Sequence, residues 1–236
     1  MNLKIVQLNS PYETLSQLKA RDYFSRHLHQ RIESYKSRYG GDTFPLGAED
    51  FVSDHYLIVE QQGQNEIIQG SFKIIDSRTC KRFNLAFPLL HTLDDEVNCP
   101  NLREQVCHYL KTDENVSYIG GMTISPEIIQ DPLRRRTVRH LISTAQVYSV
   151  IERGHPRLLV TGSIQNKSYH YLEWMGLHKF SEQSVRVRDL GEVQAYVMKL
   201  DQWSDSVMTM AKKFRSVWEE REVIEDKTLL ENRMVG

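Results

Sequence analysis

The sequence is poor in cysteine. Cys80, Cys99 and Cys107 are its only three, and no two are spaced as Cys-x-x-Cys. An odd total without that spacing excludes a disulfide framework and the common zinc and dithiol motifs, and it predicts a reducing compartment. Charge of one sign is also lacking, since 30 Lys and Arg meet 31 Asp and Glu for a formal net charge of −1. Without a global field, neither nucleic acid nor an anionic membrane is an expected partner. No apolar run approaches the roughly 18 residues that span a bilayer. The opening MNLKIVQLNS has neither the apolar core nor the cleavage site of a signal peptide. A cytoplasmic protein without an integral membrane segment is therefore expected. The nine histidines form no His-Glu-x-x-His, and His27 and His29 fall on different faces of a helical segment. No metal is expected.

What is present is alternating strand and helix patterning without repeats or low-complexity linkers. LKIVQL (Leu3–Leu8) reads as a strand. Ser10, Pro11 and Glu13 then read as a capped start to one long helix, with Leu15, Leu18, Phe24, Leu28, Ile32, Tyr35 and Tyr39 at helical spacing and Gly40-Gly41 at its end. DHYLIVEQ (Asp54–Gln61) and EIIQGSFKII (Glu66–Ile75) are β-rich runs around a QGQN turn. Residues 76–100 stay open: NLAFPLL is a strand or a buried loop, and Pro88 argues against a central strand. NLREQVCHYLKT (Asn101–Thr112) reads as a helix, and VSYIGGMTIS (Val116–Ser125) as a strand interrupted by Gly120-Gly121. RLLVTGSI (Arg157–Ile164) is apolar enough for a strand covered on both faces. NKSYHYLEWMG (Asn166–Gly176) reads as a short helix capped by Asn166, followed by strands near Lys179–Val187 and Glu192–Leu200. From Asp201 an amphipathic helix places Trp203, Val207, Met210, Phe214 and Trp218 on one side, suited to packing or to a homodimer contact. Residues 1–200 form one domain in this reading, and 201–236 a helical extension.

One helix start is electrostatically odd. In QDPLRRRTVRHL, Asp131 is a good N-cap, Pro132 stands at the first helical position, and Val138, Leu141, Ile142, Ala145 and Tyr148 keep helical spacing. Its first turns nevertheless carry Arg134, Arg135, Arg136 and Arg139. Cations beside the positive end of a helix dipole cost about 0.3–1 kcal/mol each. A solvated face is one account. A bound phosphate is another, because a diphosphate takes up the orphan N–H groups and reverses the penalty. Contact with an acidic carrier protein uses the same chemistry on a larger surface.

The element order, the hairpin DHYLIVEQ…EIIQGSFKII, the run YIGGMTISPE…RRRTVRHLISTAQVYSVIERG and the run LLVTGSIQNKSYHYLEWMGLHKF together resemble the GNAT acyltransferase superfamily over Leu3–Leu200. The resemblance implies an α/β fold with a mixed, mostly antiparallel central sheet flanked by helices. It also implies transfer of an acyl group from a thioester, usually acyl-CoA, to an amine on a small molecule or a protein. The family's phosphate loop, Q/R-x-x-G-x-G/A, has no glycine here, so arginine contacts would replace backbone ones. The family's frequent tyrosine acid stands four residues before a glycine, where this chain has Leu172. Both departures resemble long-chain N-acyl amino acid synthases and the autoinducer (acyl-homoserine-lactone) synthases, which take acyl groups from acyl carrier protein. ARDYFSRH, DFVSDHYLIV and GSFKIID are similar to their pattern, but Lys73 stands for their hairpin arginine and YIGGMTIS lacks their Glu and Arg.

The resemblance then supplies candidate roles. Gly120-Gly121 is a plain bulge or the point where a strand parts to admit the pantetheine arm, with Gly121, Met122 and Ile124 beside it and main-chain N–H groups of Met122 and Ile124 on the thioester carbonyl. Arg134, Arg135, Arg136 and Arg139 would hold the diphosphate, and Asn166 would touch the arm. Tyr171, flanked by Tyr169 and His170, would protonate the departing thiolate, and Glu60 or Glu127 would deprotonate the amine. Each has a plainer reading, as core aromatics, a helix cap or surface carboxylates. The function expected is an N-acyltransferase using acyl-CoA. The alternatives are a synthase dependent on acyl carrier protein, with FNLAFPLL lining an acyl tunnel, and a non-catalytic scaffolding domain of the same shape.

Overall fold

Strands form where β-branched and aromatic residues cluster. A computed structural model describes residues 2–40, 46–93, 100–111, 115–154, 157–187 and 193–225. Its strands are β1 (Leu3–Leu8), β2 (Asp54–Gln62), β3 (Asn65–Asp76), β4 (Ser117–Ile124), β5 (Leu158–Ser163), β6 (Leu177–Arg186), β7 (Gln194–Leu200) and β8 (Glu222–Ile224). They make one eight-stranded sheet in the order β6-β7-β5-β4-β3-β2-β1-β8. Pairing is parallel between β4 and β5 and between β1 and β8, and antiparallel elsewhere. The expected α/β class and mixed, mostly antiparallel sheet are present.

The helices are α1 (Pro11–Thr14), α2 (Leu18–Tyr39), α3 (Glu49–Val52), α4 (Ser77–Arg82), α5 (Pro88–Leu93), α6 (Pro100–Leu110), α7 (Pro132–Glu152), α8 (Ser168–Met175), α9 (Asp205–Lys213) and α10 (Arg215–Glu219). Alternation along β3 puts them on two faces. Phe72 and Ile74 join the core under α7 with Val138, Leu141, Ile142 and Ala145. Lys73, between them, points the other way, to the Asp50 carboxylate that also pairs with Arg31 of α2. So α7 and α8 cover one face, and α2 with the short helices α3 to α6 the other.

Several expectations change. The single helix from Pro11 to Tyr39 is two, because the chain turns at residues 15–17, and the Ser10 side chain caps nothing. NLAFPLL is neither strand nor plain loop: Pro88 opens α5, where its missing N–H does no harm. Asn166 is not the cap of α8; Lys167 is, in the left-handed conformation at φ +52°. The Ser163 amide bonds to Ser168 Oγ, which ties the preceding loop to the helix. Past Asp201 the chain carries a strand as well as helices, since β8 pairs with β1. The last residues of that segment, 226–236, lie outside the described residues, as does Cys99.

Candidate active site

β4 and β5 pair only from Ser117 to Ile119 against Leu158 to Val160. Beyond that point each follows its outer neighbour. β5 stays in register with β7 as far as Ser163, opposite Ala195, and β4 stays with β3 as far as Ile124, opposite Gly70. Gly121 and Met122 together face the single residue Phe72, between the pairs Lys73–Gly120 and Ser71–Thr123. This bulge bends β4 away from β5. Gly121 takes φ +63°, a left-handed value that favours glycine, and a Cβ there would lie 3.3 Å from the Arg31 guanidinium.

A cavity of about 870 Å³ occupies the gap. Its walls include Arg31, Tyr35, Glu49 and Lys73 on the α2 face, Gln146 and Leu172 on the α7 face, and Gly120, Gly121 and Met122 between them. Its lining thus comes from both faces of the sheet, from α2 and α3 on one and from α7 and α8 on the other. On the α2 side a buried charge cluster fixes the wall. Asp50 accepts from Arg31 Nη1 at 2.5 Å, from Lys73 Nζ at 2.7 Å and from the Gly47 amide at 3.0 Å. Burial works against its charge, but Lys73 and Arg31 outweigh it and hold the carboxyl well below the usual range. Lys73 also lies 3.2 Å from Glu49 Oε1. Behind the cluster, His55 Nε2 contacts the Asp50 carbonyl oxygen at 2.7 Å, and His55 Nδ1 contacts His27 Nε2 at 3.1 Å. Tyr118 lines the cavity as well; burial, partly offset by a hydrogen bond with Thr161, pushes its phenol up to about 12.

The arginine-rich helix start lies beside a second recess of about 570 Å³, lined by Pro132, Arg135, Arg136, Arg139, His140, Lys167, His170, Tyr171 and Trp174. Asp131 caps α7 as expected, accepting from the amides of Leu133 and Arg134 at 3.1 and 3.0 Å. The Arg139 guanidinium lies 5.6 Å from the centre of the Tyr171 ring, and Tyr171 stacks on Trp174. Three of the four arginines thus share one crevice with Lys167. Arg134 does not line it: its Nη2 binds Glu60 Oε2 at 2.6 Å.

No protein-family model matches the chain, and no curated protein does. Solved structures do. The acyl-homoserine lactone synthase BjaI, described as CoA-dependent and solved with SAM and isopentyl-CoA, matches with TM-score 0.57 at 8% identity, over 96% of this chain and 95% of that one. The acyl-homoserine lactone synthase MesI, also described as CoA-dependent, gives 0.54 at 10% identity over 89% and 94%. The AHL synthase LasI gives 0.52 at 12% over 84% and 87%. The chain has the GNAT acyltransferase fold.

Within this GNAT frame the sequence-derived residues divide into three sets. Gly121 and Met122 line the cavity between β4 and β5. Arg135, Arg136, Arg139 and Tyr171 line the crevice. The remainder line neither. Ile124 is buried, paired with Gly70, and its carbonyl accepts from Ser34 Oγ. Asn166 is exposed beside the crevice residue Lys167. Glu60 is buried and accepts from Gln62, Gln69 and Arg134. Burial alone would raise the Glu60 pKa, but hydrogen bonds from Gln62 and Arg134 hold it below the ordinary value. The Tyr171 hydroxyl is 2.5 Å from Ser143 Oγ, and burial, opposed by Ser143 and Arg139, pushes it up to about 12. Sequence reasoning missed Glu49, Tyr118, Arg31 and Gln146. The one signal is the strand periodicity that turns Tyr118 from the α7 core; Glu49, Arg31 and Gln146 are on helices and have none. None of the described helices is long and apolar enough to cross a membrane.

Proposed function

We propose that the chain is an N-acyltransferase that moves an acyl group from acyl-CoA to an amine by direct attack. The observation that carries this reading is the cavity in the gap between β4 and β5, with the arginine crevice at the start of α7 on the α7 face of the same sheet. A donor entering from the α7 side rests its phosphates on Arg135, Arg136, Arg139 and Lys167 and its adenine among Tyr171, Trp174 and His140. Rings beside several cations suit a nucleotide better than the acidic surface of a carrier protein. The arm runs along the free edge of β4, where amides of Gly121 and Met122 hold the thioester carbonyl. The acceptor amine enters from the α2 face.

The amine nitrogen attacks the carbonyl carbon, a C–N bond forms and the C–S bond breaks. One proton leaves the nitrogen and one is taken up by the thiolate. Glu49 is a carboxylate on the cavity wall at the acceptor mouth, and Tyr118 supplies a protonated hydroxyl there. In this reading they take the roles that the sequence suggests for Glu60, tied to Arg134, and Tyr171, tied to Ser143. Leu46, Leu85, Ala86, Pro88, Val187 and Val193 add an apolar wall that suits a chain longer than acetyl.

Thermal shift with CoA, followed by mass spectrometry of products from acyl-CoA and a panel of amino compounds, tests the reading. CoA at a hundred times its Kd should add about 2.7 kcal/mol of stability. No shift with CoA, with retention of acyl carrier protein on an affinity column, would move the donor to the carrier. Silence in both would leave a scaffold.

A further inference from the structure

We infer that Gln146 binds the thioester's pantetheine arm, its side-chain carbonyl accepting the N–H of the amide nearest the sulfur. This rests on the acyl-CoA reading and adds a positioning residue to it.

Gln146 sits on the inward face of α7, 2% exposed, among Ile142, Ala145, Val147 and Val150, and it lines the cavity between β4 and β5. Its amide is poorly provided for. Nε2 reaches only the sulfur of Met122, at 3.9 Å, and Oε1 has no hydrogen-bond partner among the described residues. A buried carbonyl without a donor destabilises the fold, and an apolar side chain of similar size would avoid that cost. Met122, its neighbour on the wall, is only partly buried, unbranched and able to yield to a ligand. The site therefore holds an acceptor waiting for an N–H donor.

Placement identifies the donor. Gln146 is seven residues beyond Arg139 and eleven beyond Arg135, so it lies about 10 to 17 Å along the helix from the crevice cations. A phosphate group held there puts the far end of an extended arm at Gln146. Its contact with Met122 sets it level with the bulge, where the thioester carbonyl would lie. The amine arrives from the other face, past Glu49 and Lys73, so the N–H that meets α7 belongs to the donor.

Titration calorimetry with CoA and with pantetheine, which lacks the nucleotide, tests this on three proteins: wild type, Gln146→Leu, and Arg135→Ala/Arg139→Ala. Gln146→Leu should weaken both ligands by a similar factor, about tenfold, while its Tm stays level or rises. The double arginine variant should weaken CoA and leave pantetheine unchanged. A merely structural glutamine would lose Tm on replacement, and that result overturns the proposal. So does wild-type affinity in Gln146→Leu, which leaves the acyl-CoA reading standing if the arginine variant still loses CoA. Failure of wild type to bind either ligand removes the acyl-CoA reading and this inference together.

Discussion

At the scale of single residues, Gly121 and the His27–His55 pair set the conditions for the site. Gly121 combines a left-handed backbone with a guanidinium at van der Waals distance. Gly121→Ala should cost about 1–2 kcal/mol from backbone strain, read as a lower urea midpoint, because Arg31 is fixed by Asp50 and cannot retreat freely. An unchanged midpoint would mean that the bulge relaxes. Burial holds the His55 imidazole down to about 4, and the same cause, with His55 and Arg31 adding, holds His27 well below its usual value. Between pH about 6.5, where a free imidazole titrates, and pH about 4, the unfolded chain binds more protons than the folded one. Stability therefore falls as pH falls through that window. The urea midpoint should drop between pH 7 and pH 5, and His55→Asn should flatten the drop. Comparing the two isolates the imidazole from Asp54, whose half-buried carboxyl is held up and acts in the opposite sense. Equal slopes in both would refute the assignment.

At the scale of elements, the helix that begins with arginines separates two roles at adjacent positions. Arg134 binds Glu60 across from β2, whereas Arg135 and Arg139 open on the crevice. Arg134→Ala should destabilise the protein by about 1–3 kcal/mol, by leaving a buried carboxylate short of a partner, with little effect on CoA affinity. Arg135→Ala/Arg139→Ala should show the reverse: unchanged denaturation and weaker CoA binding. Adjacent side chains on a helix point about 100° apart, and that is why the sequence run RRR is not one functional unit. If both variants lose stability alike, the crevice arginines are structural. The Asp131 cap, the Pro132 start and the bulge glycines are legible in the sequence, because each is a local conformational preference. The break in the N-terminal helix is not, since Leu15 and Leu18 keep helical spacing across it while the chain turns.

For the whole molecule, the C-terminal segment closes the structure as well as extending it. Trp218 is 2% exposed, stacks on Tyr56 of β2 and Tyr148 of α7, and donates from Nε1 to Glu152 at 2.9 Å. β8 then pairs with β1 and becomes the sheet edge. Trp218→Ala should cost about 3–5 kcal/mol, measured by chemical denaturation. A loss below about 1 kcal/mol would mean that the segment docks without supporting the α7 layer. Such a dependence would make residues beyond Asp201 part of the folding unit that holds the site.

The sequence alone determined strands β1 to β7, the α7 start and its charge anomaly, and the resemblance in element order, because these follow from periodicity and capping within a few residues; β8 it did not show. Tertiary structure decided which polar groups meet. Glu60 and Arg134 are 74 positions apart, and Asp50 and Lys73 are 23 apart. Their pairing depends on how β2, β3 and the helices on either face stack. Whether a carboxylate or hydroxyl faces a cavity or a partner is set by that stacking, and no local pattern encodes it. Glu49, Tyr118 and Gln146 emerge as cavity residues only where β4 follows β3, β5 follows β7, and the sheet opens between them.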